Sequence, residues 1–311
     1  MKLIPLTTAA ALIGSAAMAD ITTRAVTFEN EGQTLSGTMY LPSGFDGSAT
    51  NAVIVTGAWT SVQEQMPGTY AREMAERGLI AVTFDFRGWG KSGDLPGAQR
   101  FIEDPAAKTS DIRAVIEQVA KLPEVAKLHG LGICASAGYM VDATRGNDSI
   151  ASVGLVAPWL QDKEIVETVY GGAAGVAGLM QIAANAEAAG GQIIPAAGPE
   201  GAEGVLMPIG GYYHEPTRGA IPEYDNSWNN AGWDDWLGYH PVNGADSFDK
   251  PLAIVHSDAA AIPQGVRSFV QRMTGEATQK WLENVTQFDF YDDPAAVETA
   301  SDTVAAHFAD H

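Results

Sequence analysis

Leu128-His129-Gly130-Leu131-Gly132-Ile133-Cys134-Ala135-Ser136-Ala137-Gly138 is the stretch on which the reading of this chain turns. Leu128 to Ile133 is an apolar run of strand length, and the spacing from Ala135 to Thr144 predicts a helix. A strand, one tight turn and a helix, with a nucleophilic side chain at the turn, make a nucleophile elbow. Small residues on both sides of Cys134 let such a turn close. The helix N-terminus is expected to lower the thiol pKa, and the turn to aim the sulfur out of the carboxyl edge of a sheet, where open α/β sheets bind ligands. The Ala135 N–H is then one candidate oxyanion donor, and the loop after Val53-Ile54-Val55, at Ala58 or Trp59, supplies the second. A frame with Ser136 as nucleophile puts Cys134 where glycine is expected; with Cys134 at the centre, Gly132 falls two residues before it. The thiol also has a plainer reading, as a small hydrophobe packed in a glycine-rich turn.

Working outward, the chain alternates. Two β-rich segments, Ile21 to Phe28 and Thr34 to Tyr40, read as an antiparallel opening hairpin before the Pro42-Ser43-Gly44 turn. Strands are predicted at Ala52 to Val55, Leu79 to Phe84, Lys127 to Ile133 and Ile150 to Val156, with helices at Pro67 to Arg77, Thr109 to Leu122 and Ala135 to Thr144. Continuous apolar strands between helices argue a mostly parallel sheet covered on both faces. From about Trp159 to Ser247 the alternation stops in a Gly-, Ala- and Trp-rich stretch with one helix expected over Ile165 to Ala189. That stretch reads as an inserted cap. The sheet pattern resumes at Pro251 to Val255, followed by a helix from Gln264 to Met273, a strand around Gln287 to Tyr291 and a closing helix from Pro294 to Phe308.

At 311 residues and 46% hydrophobic composition the chain can bury one large core. Residues 1–19 run from Lys2 through an apolar stretch to Ala17-Met18-Ala19, the order of a secretory signal peptide, so export to a periplasm or the medium is expected. The core is then assigned to 20–158 and 248–311, and the cap to 159–247. Thirty-eight acids against 18 Lys plus Arg give a formal charge of −20, which makes nucleic acid and anionic membrane surfaces poor partners. The acids are scattered, and pairs such as Asp234-Asp235 and Asp292-Asp293 are too sparse for a metal site. No cofactor is expected, nor any stable membrane insertion. Cys134 is the one cysteine, so no intramolecular disulfide is available.

Four motifs carry a resemblance over nearly all of the mature chain: Thr60 to Met66 after the third strand, Asp85-Phe86-Arg87-Gly88-Trp89-Gly90-Lys91-Ser92-Gly93 after the fourth, the Cys134 elbow, and Val255-His256-Ser257-Asp258. The chain resembles the dienelactone-hydrolase-like branch of the α/β-hydrolase superfamily, in which the elbow commonly carries Cys. The resemblance implies an α/β-hydrolase fold, an acid after the strand that follows the cap and a histidine near the C-terminus. Asp258 is the candidate acid, with turn capping as its other reading; many relatives carry the acid two residues on, where this chain has Ala260. Where relatives show His, this chain has Gln287, which cannot take a proton.

Without an imidazole, acyl transfer lacks its base and its acid, typically ~10²–10⁴-fold in rate. A thiol tolerates that loss better than a hydroxyl, leaving thioesters, lactones and activated esters as substrates. Among the other histidines, His129 lies by the elbow strand, His256 ends a core strand and reads as structural, and His307 is expected to face solvent or the end of the last helix. His214 and His240, in or beside the cap, are candidates to be lowered over Cys134. The cap's Tyr212, Tyr213, Trp228, Trp233 and Trp236 suggest a pocket for an apolar or aromatic small-molecule acyl substrate. Two functions follow: a hydrolase of ester, lactone or thioester bonds using Cys134, with Ala135 and Trp59 as oxyanion donors and Asp258 and Gln287 orienting the site; or a periplasmic ligand-binding protein that kept the pocket after losing the histidine.

Overall fold

The computed structural model describes residues 20–311, so the expected signal peptide lies outside the described residues. Strands β1 (Thr22–Asn30) and β2 (Gln33–Leu41) form the antiparallel hairpin, closed by Glu31-Gly32 at φ 49° and 77°. Positive φ at both central residues suits a two-residue turn to the right-handed twist of its strands. The alternation follows: β3 (Thr50–Thr56), α1 (Met66–Glu76), β4 (Ile80–Phe84), α2 (Pro105–Val119), β5 (Val125–Ile133), α3 (Ser136–Thr144) and β6 (Val153–Val156). Outside the sheet come α4 (Lys163–Val169), α5 (Gly172–Ala188), β7 (Ile193–Pro195), β8 (Ser227–Asn229) and α6 (Trp233–Gly238). The chain returns with β9 (Leu252–Ser257), α7 (Pro263–Arg272), β10 (Ala277–Leu282), α8 (Asp289–Asp292) and α9 (Pro294–Asp310).

The main sheet has eight strands in the order β1-β2-β4-β3-β5-β6-β9-β10. It is antiparallel at β1/β2 and β2/β4 and parallel from there on. Helices α1 and α9 pack together over one face, and α2 and α3 over the other. Both faces are therefore dry: β4, β6 and β9 are buried along their whole length, as the unbroken apolar runs required.

Three elements differ from expectation. Helix α2 starts at Pro105, because Asp104 caps it by accepting from the Ala107 N–H at 2.9 Å and proline suits the first turn. The single helix expected over Ile165 to Ala189 is two, bent by 86° where Gly171 and Gly172 take φ 83° and 75°. No single described helix is long and apolar enough to cross a membrane. In place of the strand expected at Gln287 to Tyr291 stand a turn and the short helix α8, whose first residue, Asp289, accepts from the Thr286 N–H and hydroxyl at 2.7 Å each. The edge strand lies earlier, at β10, where Thr278, Gln279 and Lys280 are exposed and the apolar signal of a strand is missing.

Candidate active site

The elbow is a local necessity of its residues. Cys134 stands at φ 56°, a left-handed conformation that costs a non-glycine residue on the order of 1–3 kcal/mol. Its N–H donates to Val156 O at 3.1 Å, and its carbonyl accepts from Ala137 N–H at 3.1 Å and Trp159 N–H at 2.9 Å, so both neighbouring elements hold the strained turn. A Cβ at position 132 would lie 2.7 Å from the Ala137 Cα, which is why glycine stands there. The Ser136 hydroxyl is fully buried and latches the turn to the strand, donating to Ile133 O at 3.1 Å and accepting from Ile133 N–H at 3.2 Å. Ser136 is thereby spent in the fold, and Cys134 alone presents its side chain to the pocket.

Burial pushes the Cys134 thiol above its ordinary pKa. Hydrogen bonds from the Tyr291 hydroxyl, the Ala135 and Trp59 N–H groups and the Gln287 amide work against that rise without cancelling it. The lowered pKa expected from the helix terminus is therefore overturned: desolvation outweighs it, and the sulfur rests as a thiol at neutral pH. Trp59 and Ala135, whose N–H groups are the oxyanion donors expected from sequence, line the same pocket as the sulfur.

The Trp59 loop is clamped from below. Thr60 takes φ 60°, its N–H donates to Glu103 Oε2 at 3.4 Å, and its hydroxyl meets the Tyr224 hydroxyl at 3.1 Å. Glu103 is fully buried, and its other oxygen accepts from Lys108 Nζ at 2.6 Å and from the Tyr139 hydroxyl at 2.7 Å. The Lys108 ammonium lies 4.9 Å and 4.8 Å from the Phe86 and Trp89 ring centroids, an aromatic lining that repays part of its desolvation. Neither Glu103 nor Lys108 stood out in the sequence, since a carboxylate and a lysine five residues apart usually lie on a wet surface.

Gln287 is held on three sides. Its Oε1 accepts from Ala261 N–H at 3.1 Å, and its Nε2 donates to Ala157 O at 2.9 Å and to the Tyr291 hydroxyl at 3.1 Å. One backbone donor and one backbone acceptor fix which way the amide points. Tyr291, fully buried one helical turn on, was missed from sequence because its segment read as a strand. The remaining candidates are not brought to the sulfur. Asp258 is exposed and paired with Arg267 at 2.5 Å, while its neighbours Ala259 and Ala261 line the pocket. His214 is exposed and His240 half-buried, and neither lines the pocket. His256 is buried in β9 as expected, and His307, expected to face solvent or the end of the last helix, is buried in the last turn of α9.

The pocket over Cys134 holds about 320 Å³ and is walled by Trp59, Trp159, Trp236, Tyr213, Phe288 and Tyr291, with Met207 and the exposed Ile209 at its lip. Trp59 stacks on Trp236 at 5.1 Å and meets Trp228 edge-on at 4.8 Å, so the cap's tryptophans fix the wall. None of the lining residues carries a formal charge. Among the described residues no group of three or more His, Cys, Asp or Glu side chains is gathered to hold a metal ion.

No protein-family model matches the chain. It is 35% identical to the uncharacterized protein YcjY of Escherichia coli over 125 residues, 39% of this chain and 40% of that protein. It is 35% identical to the uncharacterized protein PA2218 of Pseudomonas aeruginosa over 133 residues, 42% of this chain and 35% of that protein. The match thus spans less than half the length of either relative. The crystal structure of PA2218 superposes with a TM-score of 0.81 at 22% identity, covering 94% of both chains. The α/β hydrolase GrgF from Penicillium sp. sh18 gives a TM-score of 0.70 at 17% identity, covering 93% and 99%. A soluble variant of monoglyceride lipase from Saccharomyces cerevisiae gives 0.69 at 14%, covering 95% and 97%. With its eight-stranded sheet, its elbow and these likenesses, the chain has the α/β-hydrolase fold.

Proposed function

We propose that this protein is an exported acyl-transfer enzyme of the hydrolase class, taking the acyl group of a neutral ester, lactone or thioester onto Cys134. The observation that carries the reading is the Cys134 sulfur held at a strained elbow, between the Ala135 and Trp59 N–H groups, at the floor of an aromatic pocket. A built oxyanion site beside a nucleophile has no use in packing alone. Cysteine in the elbow is also what the dienelactone-hydrolase-like branch would lead one to expect, and several proteins of similar fold are named as hydrolases or lipases. The uncharged aromatic wall favours an apolar or aromatic acyl group, because a charged one would be desolvated without a partner.

One observation favours a second reading, a ligand-binding protein on a disarmed scaffold: neither histidine nor carboxylate lines the pocket. The experiment that separates the two is incubation of the mature protein with short-chain p-nitrophenyl esters and thioesters, followed by turnover and intact mass, beside Cys134→Ala and Gln287→His. An acyl adduct on the wild type that Cys134→Ala lacks supports the cysteine enzyme. No adduct and no turnover in the wild type, with activity appearing only in Gln287→His, supports the binding protein.

A further inference from the structure

The site has a nucleophile and an oxyanion pocket but no imidazole or carboxylate to move a proton, so any acyl transfer there needs another carrier. Resting on the cysteine-nucleophile reading above, we propose that Tyr291 is a catalytic residue, a neutral proton relay between the Cys134 thiol and the leaving atom of the substrate.

Three observations lead to it. Tyr291 and Cys134 line the same pocket, with the phenol close enough to act on the titration of the thiol, so it faces both the nucleophile and the space the substrate occupies. Gln287 donates to the phenol oxygen at 3.1 Å while its Oε1 and Nε2 grip Ala261 and Ala157, so the oxygen is steadied as its own proton leaves. The ring is locked in place: it meets Tyr212 edge-on at 5.2 Å and packs on Phe288 at 5.7 Å, and the Tyr70 hydroxyl donates to Phe290 O at 2.8 Å beside it. Gln287 thus has a role beyond replacing a lost histidine, since it serves the tyrosine.

The chemistry balances with no net charge, because the negative charge on the carbonyl oxygen is matched by the proton arriving on the leaving atom. As the Cys134 sulfur bonds to the acyl carbon, the thiol proton passes to the phenol oxygen, and the phenol's own proton passes to the leaving oxygen or sulfur. The carbon–leaving-atom bond then breaks to give a neutral alcohol or thiol, Cys134 carries the acyl group as a thioester, and Tyr291 is a phenol again. The oxyanion faces the Ala135 and Trp59 N–H groups throughout. Burial holds both the thiol and the phenol in their neutral forms, so a stepwise route through a thiolate or phenolate is the costlier one in this uncharged pocket.

The test is the rate of acyl-adduct formation on Cys134, followed by intact mass, for wild type and Tyr291→Phe with two probes: S-ethyl thiobutyrate, whose leaving thiolate needs a proton, and S-(p-nitrophenyl) thiobutyrate, whose leaving group does not. The relay predicts that Tyr291→Phe slows both probes near neutral pH, since each attack needs the thiol proton taken, and slows the S-ethyl probe further, by ~10²-fold or more, since its leaving group also needs a proton, the scale of a lost general acid–base group. It also predicts a wild-type rate nearly flat with pH and a Tyr291→Phe rate that rises with hydroxide until the two converge, because the variant must wait for thiolate. Equal losses on both probes, or two parallel pH profiles, overturn the relay while leaving the cysteine nucleophile in place. A wild type that forms no adduct with either probe overturns the nucleophile reading, and the relay with it.

Discussion

Gln287 and Tyr291 stand one helical turn apart, and the amide of the first donates to the hydroxyl of the second at 3.1 Å directly beside the Cys134 sulfur. The position after the last strand, where resemblance led to expect a histidine, therefore orients a phenol through a fixed amide.

Gln287→His tests how much of an ordinary site remains. A neutral imidazole there would be able to take the thiol proton and leave an ion pair, so the apparent thiol pKa is expected to fall by one unit or more, about 1.4 kcal/mol per unit. Iodoacetamide alkylation of Cys134 against pH reads this directly, with the wild-type profile displaced to high pH by burial. The gain should be partial, because Ala260 offers no carboxylate to orient the new ring; adding Ala260→Asp should extend it. An unchanged profile would mean that the ring cannot reach the sulfur.

The Glu103–Lys108 pair below the Trp59 loop is closed to solvent on both sides. Removing one partner strands the other, so Glu103→Ala is expected to lower unfolding free energy by about 3–5 kcal/mol, whereas Glu103→Leu with Lys108→Met should recover much of it. Urea unfolding of the single and double variants measures both. If the double variant keeps its stability but acylates more slowly, the pair acts on the Trp59 N–H through Thr60.

Stability should also depend on pH, and three buried groups contribute in opposite directions. His129 and His256 are held neutral by burial, with pKa values near 4 against an ordinary 6.5. As pH falls from 6.5 to 4 the unfolded chain takes up their protons and the folded chain does not, so stability falls by up to about 3 kcal/mol for each. Asp85 opposes them. Burial raises it to about 6 from 3.8, so its share of stability is full below 3.8 and is lost as pH rises through 6. Unfolding between pH 7 and about pH 4 should show a net loss for the wild type, a steeper one for Asp85→Asn and a shallower one for His129→Gln.

The fold was legible because its strands are buried on both faces and its elbow is written in consecutive small residues. The candidate site was legible only where position is local: Cys134, Ala135 and Trp59, which the structure brings to one pocket, follow from strand ends and turns. Gln287 came from resemblance, and Tyr291 stayed hidden because Gln287-Phe288-Asp289-Phe290-Tyr291 alternates like a strand, although the chain turns at Gln287-Phe288 and is helical from Asp289. Asp258 misled for the opposite reason. A carboxylate just past a core strand is near the site in sequence, but Arg267, nine residues on, draws it outward. The Glu103 clamp joins residues 43 positions apart through Thr60, a contact that no local pattern announces.

The strain at Cys134 yields the last prediction. A left-handed φ of 56° is held by hydrogen bonds from two elements and serves to aim the sulfur, not to stabilise the chain. Cys134→Ala keeps the strain and loses the thiol, whereas Cys134→Gly loses both, at the expense of a more flexible unfolded state worth roughly 0.5–1 kcal/mol. Relief of roughly 1–3 kcal/mol should win, so Cys134→Gly is expected to be more stable than Cys134→Ala by about 1 kcal/mol. Guanidinium midpoints at unchanged slope measure the difference. A glycine variant no more stable than the alanine one would mean that the turn is relaxed as built and that its geometry says nothing about selection for a reactive side chain.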